Sequence, residues 1–306
     1  MDAAPFFSVV IPTYNRVDIL NRAIDSVLNQ SFSNFELIIV DNGSTDHTGE
    51  WLKQNYRDPR IKYYFQKGTG SPAGPRNTGI RLSTGKWISF LDSDDLWRLN
   101  KLQSVKQSID QDSILDVICH DEYLNKMGKG SDVVLHYGPY EKNFYRVMLI
   151  GGNRLSTSAT SIRRSFLEQH KLSFNESPHY MIVEDYDLWL KLAQKQAKFG
   201  FIRQPLGDYI VDEGSLSLNL ELKRRNVETI LRDHVYSIQT FTNNKDRLWQ
   251  CVQFRIMAGD FKSSIKQIRF FLILFQLAKK VITTPNCAME YIKLYVLRKW
   301  RISRGL

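Results

Sequence analysis

The sequence predicts an α/β protein, a largely parallel sheet covered by helices on both faces, followed by a helical extension. Three observations carry this. The first 120 residues alternate short apolar runs with amphipathic stretches, the pattern of parallel strands joined by crossover helices. The runs themselves are five to seven residues long, strand length rather than helix length. From about residue 218 onward the pattern is helical throughout, with a break expected at Pro285.

In order, SVVIP (8–12) reads as a buried strand and VDILNRAIDSVLNQ (17–30) as an amphipathic helix. ELIIVD (36–41) is a second strand, and Ser44 or Asp46 in the following turn could cap the next helix, which runs through Trp51 and Leu52 towards Tyr56. IKYYFQ (61–66) is a third strand, and a helix over about 73–84 precedes KWISFLD (86–92). Between 100 and 215 the signals are mixed. DVICHDEYL (116–124) and SATSIRR (158–164) suggest strands, YRVMLI (145–150) a short helix and VEDYDLWLKLAQKQ (183–196) a clear one. No internal repeat or low-complexity linker divides the chain, so the expected units are 1–217 and a helical, basic 218–306.

Composition sets limits. With 42% hydrophobic and 24% charged residues over 306 positions, the chain is an ordinary folded protein. Its three cysteines, Cys119, Cys251 and Cys287, are far apart and odd in number, which suggests no disulfide framework and a reducing compartment. The histidines lack ligand spacing, which disfavours structural zinc. The N-terminal MDAAPFFSVVIP has no basic flank and is broken by Pro12, so it reads as a strand and not as a signal peptide. The longest apolar run, FFLILFQLA (270–278), is about half of a membrane span.

In parallel sheets ligands bind beyond the carboxyl ends of strands. Tyr14, Asp41 and Asp92 fall at such ends, so these separate polar sites should meet in one crevice. FLDSDD (90–95) then places Asp92, Asp94 and Asp95 within four positions. Asp92 and Asp94 share a face if extended, and carboxylates this close raise one another's pKa unless a cation intervenes. Oxygen donors of this kind suit Mg²⁺ or Mn²⁺, although alone the run fits a solvated acidic turn equally well. Asp95 could cap a helix beginning near Leu96.

In the helix over 183–196, Asp185 leads a stripe with Leu188, Trp189 and Leu192, which aims it inward. Asp187, Lys191 and Lys195 lie off that face, with Glu184 nearer to them. The plainer account is a first-turn acid complementing the helix dipole, worth about 0.3–1 kcal/mol.

Five stretches, VVIPTYNR (9–16), IIVDNGSTD (38–46), GPRNTGI (74–80), WISFLDSDD (87–95) and EDYDLWLKL (184–192), occur in an order and spacing that resemble the family 2 glycosyltransferases. That is the large inverting family built on the nucleotide-binding GT-A fold, a Rossmann-like mixed sheet flanked by helices. The resemblance covers residues 8 to about 217 and implies a nucleotide-diphosphate sugar donor, most often a UDP-sugar. Pro12, Thr13 and Tyr14 would pack against the base with Arg16 close by, and Asp41 would accept from the uracil imide, a contact cytosine cannot make. The Asx-turn role of Asp41 is compatible with this. Arg76, beside Asn77, would help define the pocket; Asp92 and Ser93 would lie near the ribose and diphosphate. Asp94, with Asp92, would hold Mg²⁺ or Mn²⁺, which neutralises the leaving diphosphate. Asp185 would be the base, and Glu184 would orient the acceptor.

Two departures refine the expectation. Asp212 stands where many non-processive relatives carry His in YRxHxGSxS, here DYIVDEGSLS (208–217). The QxxRW of processive synthases is missing, so one sugar per encounter is expected from a hexosyl- or N-acetylhexosaminyltransferase. Bacterial surface polysaccharide or glycolipid assembly on saccharide or lipid-linked acceptors is the implied setting. An inactive nucleotide- or membrane-binding scaffold is the alternative. A sugar-nucleotide pyrophosphorylase would need GxGTR where IPTYNR stands.

The net charge of +10 is almost all in the tail: residues 262–306 hold ten Lys or Arg against one acid, Glu290. There Ile265, Ile268, Leu272 and Phe275 would share one helical face, with Lys262, Lys266, Arg269 and Lys280 towards another. These helices are either a solvated basic face packed on the catalytic domain or a contact with an anionic membrane surface, which implies a cytoplasmic protein, peripheral at that face of the membrane. No nucleic-acid-binding motif accompanies the charge, which excludes nucleic acid as the expected partner.

Overall fold

The computed structural model describes residues 4–126, 132–212, 218–238, 244–264 and 270–304, without the side chains of 260–275. Its first half alternates as expected: β1 (Phe7–Thr13), α1 (Leu20–Leu28), β2 (Phe35–Asp41), α2 (Thr48–Asn55), β3 (Ile61–Phe65), α3 (Ala73–Leu82) and β4 (Trp87–Phe90). These four strands pair in parallel in the order β3-β2-β1-β4. Thr13, Asp41 and Phe65 stand side by side in register at their carboxyl ends.

Side chains alternate across this sheet, as a period of two requires. Val10, Ile38, Val40, Ile88 and Phe90 enter one core, and Val9, Ile11, Leu37 and Ile39 enter the other. The α3 helix lies so close on β1 that a Cβ at Gly79 would collide with Val10, which explains the glycine in NTGI.

The remaining elements are β5 (Leu96–Trp97), α4 (Lys101–Gln111), β6 (Val117–Lys126), β7 (Val134–Leu135), α5 (Phe144–Gly151), β8 (Thr160–Arg163), α6 (Arg164–His170), α7 (Glu184–Gln194) and β9 (Phe199–Val211). They extend the sheet to β3-β2-β1-β4-β8-β6-β9-β5. Beside β4 the sheet becomes mixed, because β8 runs antiparallel to both β4 and β6. The result is a mixed open sheet flanked by helices.

After residue 217 the described elements are all helical: α8 (Leu220–Asp233), a π turn over 234–238, α9 (Lys245–Ser264), α10 (Phe270–Thr283) and α11 (Pro285–Ser303). The break before Pro285 is present, and proline opens α11, where its missing N–H costs nothing. These helices share the core of the sheet: Ile230, Leu231, Val252 and Cys287 pack in the same cluster as Val10 and Trp189. Among the described residues no helix is long and apolar enough to cross a membrane.

Three expectations need correction. Leu96 and Trp97 form a strand, not a helix start, and Asp95 is no cap; α4 begins at Lys101. Glu184 and Asp187, expected off the inward stripe that Asp185 leads, are both buried, whereas Asp185 is only half-buried: Glu184 is paired with Arg76, and Asp187 is bonded to His234 Nε2 at 2.9 Å and to Lys191 Nζ at 2.6 Å. Cys251 and Cys287 are joined as a disulfide, since α9 and α11 pack with their Cα atoms 4.6 Å apart across 36 residues of sequence. Cysteine usage therefore no longer speaks for a reducing compartment. The apolar tail face expected through Ile265, Ile268, Leu272 and Phe275, with Lys262, Lys266 and Arg269, lies outside the described side chains, as do residues 213–217 of the DYIVDEGSLS stretch.

Candidate active site

The loops leaving β1 and β2 are laced together. Asn15 takes a left-handed backbone (φ 49°), which asparagine tolerates. Its N–H donates to Ser44 Oγ at 2.9 Å, and its Oδ1 accepts from Thr45 N at 2.8 Å. Asp46 accepts from Val17 N at 3.0 Å and from Thr48 N at 3.2 Å, so it both ties the loops and supports the start of α2. This lacing fixes the backbone on both sides of Tyr14 and Arg16. Pro12 and Thr13 are buried under the crevice, whereas Tyr14 is 56% exposed at its rim.

Asp41 is buried and already bonded through both oxygens, to Ser44 N at 2.8 Å and Tyr63 Oη at 2.9 Å. The Asx-turn role is therefore real. Each oxygen keeps a second lone pair, so capacity for one more donor remains. An open depression of about 350 Å³ beside it is lined by Ser44, Lys53, Tyr63 and Phe65.

The DSDD turn follows β4. Asp95 N donates to Asp92 O at 3.1 Å, closing the turn. Asp95 itself points into the protein, accepting from Ser158 Oγ at 2.5 Å and Ile210 N at 2.8 Å. Ser158 Oγ also accepts from Asp92 N at 3.1 Å, and its carbonyl accepts from Trp97 Nε1 at 2.7 Å. One serine thus holds the turn at both ends. Ser93 and Asp94 are left half-buried at its outer side.

The positive charge among these acids comes first from arginine. Arg76, on α3, is buried and donates to Asp92 Oδ1 at 2.6 Å and to Glu184 Oε1 at 2.7 Å. Its guanidinium lies 5.3 Å from the centre of the Phe174 ring. Asn77 clamps the same segment, exchanging bonds of 2.9 Å with the backbone of Phe174. Arg16 approaches Asp94 more loosely, at 3.9 Å.

Asp94 is pushed up to about 6 by burial and by the charge of Asp92, with Asp212 adding and Arg16 opposing. Asp212, just past the end of β9, is close enough for its charge to be felt at Asp94. The Asp94 side chain remains 24% exposed, open to a ligand from the crevice. Among the described residues no group of three potential ligands could hold a metal by itself. The donor set fits a hard divalent cation held by one or two carboxylates and completed by substrate phosphates.

Opposite the turn, α7 presents Glu184 and Asp185. Burial raises both carboxyls, and the Arg76 charge opposes the rise. Glu184 is buried in its Arg76 pair, with Oε2 unbonded. Asp185 is half-buried and accepts from Thr157 Oγ1 at 3.3 Å. The neighbours Thr157 and Ser158 thus contact α7 and the DSDD turn respectively. Neither residue is singled out by the sequence, because STSATS (156–161) is a run of small, mostly hydroxyl-bearing residues in which nothing distinguishes them.

A family model, Glycosyl transferase family 2, matches residues 8–170, more than half of the chain. The chain belongs to glycosyl transferase family 2. As a family 2 chain it is 29% identical over 224 residues to the Escherichia coli UDP-Glc:alpha-D-GlcNAc-diphosphoundecaprenol beta-1,3-glucosyltransferase WfgD, covering 71% of this chain and 83% of WfgD. It is 43% identical over 116 residues, 38% of its length, to an uncharacterized glycosyltransferase of Rickettsia bellii, yet spans only 16% of that protein. It spans 32% of the related Rickettsia felis protein. Among solved structures it superposes on Staphylococcus aureus TarS 1–349 in complex with UDP-GlcNAc with a TM-score of 0.63 at 18% identity, covering 98% of this chain and 92% of the other. At that identity the likeness speaks to the fold, which is the GT-A fold.

Proposed function

We propose that this chain transfers one sugar at a time from a nucleotide-diphosphate donor, a UDP-sugar, to an acceptor hydroxyl with inversion at the anomeric carbon. The observation that carries the reading is the Arg76 bridge. It joins Asp92 of the turn suited to a donor diphosphate to Glu184, next to the candidate base Asp185.

In this reading the donor lies beyond the ends of β1 and β2, its base against Pro12, Thr13 and Tyr14, with Asp41 receiving the imide N–H. Arg16, Arg76, Asp92 and Ser93 border the ribose and diphosphate. Asp94, with Asp92 beside it, would hold Mg²⁺ or Mn²⁺, and the ion would supply Lewis-acid neutralisation of the leaving diphosphate. Asp185 takes the proton from the acceptor hydroxyl as the new C1–O bond forms and the bond to the diphosphate breaks. Its raised pKa suits that task, because a more basic carboxylate is a better proton acceptor. Glu184, fixed by Arg76, orients the acceptor. Residues 1–217 form the catalytic unit and 218–306 its helical extension.

WfgD, by its name, glucosylates a diphosphate-linked polyprenyl sugar. We carry that class to this chain: a lipid-linked saccharide of bacterial surface polysaccharide assembly, met at the cytoplasmic face of the membrane. Thermal stabilisation by a panel of nucleotide sugars, with Mg²⁺, Mn²⁺ or chelator, tests the donor assignment. UDP-sugars should stabilise the chain only when the metal is present. Stabilisation by a different nucleotide alone, or equal effects with chelator, would overturn it.

A further inference from the structure

The α11 helix is held to the body along one side only. Cys287 and Ala288 are buried, and Tyr291 and Leu294 are packed against the core clusters. Glu290 accepts two bonds of 2.9 Å from Arg146 on α5, and Arg298 donates to the carbonyls of His136 and Gly138 at 2.9 and 3.1 Å. These contacts fix the rotation of the helix about its axis.

The side turned outward is apolar at its centre. Met289, Ile292, Val296 and Trp300 follow one another at three- and four-residue steps, which stacks them on one face. They are 61%, 54%, 55% and 46% exposed. By the same helical spacing, Lys293 and Arg304 flank this stripe on one side and Lys299 on the other, all exposed. Arg304 lies over the Trp300 ring at 4.8 Å. The single acid of α11, Glu290, is spent on Arg146 and leaves the basic flanks uncompensated.

We propose that this face docks on an anionic phospholipid surface. Met289, Ile292, Val296 and Trp300 enter the boundary between headgroups and acyl chains, and Lys293, Lys299 and Arg304 meet the lipid phosphates. An apolar stripe between basic flanks is the arrangement of a helix lying in the interfacial plane, with the long basic side chains reaching up to the headgroups. A second copy of the chain is a poorer occupant, since a twofold contact sets the same patch against itself and brings like charges together. Docking extends the lipid-linked acceptor reading, but its assay contains neither donor nor acceptor, so each can fail while the other stands.

The test is sedimentation of the full chain with phosphatidylcholine vesicles, with and without phosphatidylglycerol. Binding should need the anionic lipid and weaken by about tenfold or more at roughly 1 M salt, where charges are screened within ~3 Å. The exposed substitutions Ile292→Glu with Val296→Glu should abolish binding without lowering the melting temperature. Lys293→Glu with Lys299→Glu should remove the preference for anionic lipid. Equal binding to neutral vesicles, or unchanged binding by both double variants, would overturn the proposal. So would a dimer in solution that Ile292→Glu with Val296→Glu returns to monomer.

Discussion

Arg76 and Glu184 form a buried ion pair, Nη1 to Oε1 2.7 Å, across 108 residues of sequence. The other terminal nitrogen of the same guanidinium holds Asp92. Lysine, a point charge on a flexible stem, could not reproduce this fork. The pair joins α3, α7 and the turn after β4, so one residue holds both Asp92 and Glu184, the carboxylates proposed to border donor and acceptor. Removing it would leave Asp92 and the buried Glu184 without the charge that lies between them.

Arg76→Ala should therefore cost about 3–5 kcal/mol of stability, the penalty of leaving a buried charge unpaired. Chemical denaturation measures this. Arg76→Lys should recover part of the stability and little transfer activity, since its single nitrogen cannot place donors where the two arms of the guanidinium stand. Equal activity in Arg76→Lys and the parent would show that the fork is not needed.

Asp185 gives a prediction in pH. The base must be ionised to accept a proton, and burial raises its pKa from 3.8. Transfer should fall as pH drops through that raised value, so the acid limb of kcat/KM lies above the 3.8 of an ordinary aspartate. Asp185→Asn should lower kcat by about 10²–10⁴ with donor binding kept.

The same shift has a consequence for stability. A carboxyl with a raised folded pKa binds its proton more tightly when folded, so its contribution to stability falls as pH rises from the unfolded to the folded value. Above both values the ionised Asp185 is a net cost. Asp185→Asn should melt higher than the parent at neutral pH and show no such gain at acid pH. Calorimetry at two pH values distinguishes this from a merely structural aspartate.

Ser158→Ala removes the donor from Asp95 and the acceptor from Asp92 N. Leaving buried Asp95 without that bond should cost about 1–3 kcal/mol. The loosened turn should raise the donor KM more than it lowers kcat, and Ser158→Thr should restore both. A loss of stability with unchanged KM would make Ser158 structural only.

Much of this arrangement is legible in the amino-acid sequence, and the reasons differ by element. The strands β1 to β4 are visible because parallel strands buried on both faces are continuous apolar runs, and their ends place Tyr14, Asp41 and Asp92 at one edge without further information. The long strand β9 is not, because FGFIRQPLGDYIV mixes Pro205 and charged residues and pairs with β6 through a register shift near Asp121. Helical spacing places Leu188, Trp189 and Leu192 in the core, as the structure has them, but it cannot foresee that Arg76 and His234 bury Glu184 and Asp187 more deeply than Asp185. Asp95 was assigned to a cap because its partners, Ser158 and Ile210, lie 63 and 115 residues away. Likewise, the carboxylate cluster called for a cation, and sequence could not show that Arg76 already supplies part of that charge.

The most direct test is to follow the anomeric proton signals by NMR while the chain acts on an α-linked UDP-sugar, Mn²⁺ or Mg²⁺ and a lipid-linked saccharide acceptor, in parallel with Asp185→Asn. The account predicts a β-linked product from the parent chain, none after chelation of the metal, and formation slowed by about 10²–10⁴ in Asp185→Asn although it still binds UDP. An α-linked product, or transfer by Asp185→Asn at the parent rate, would contradict it.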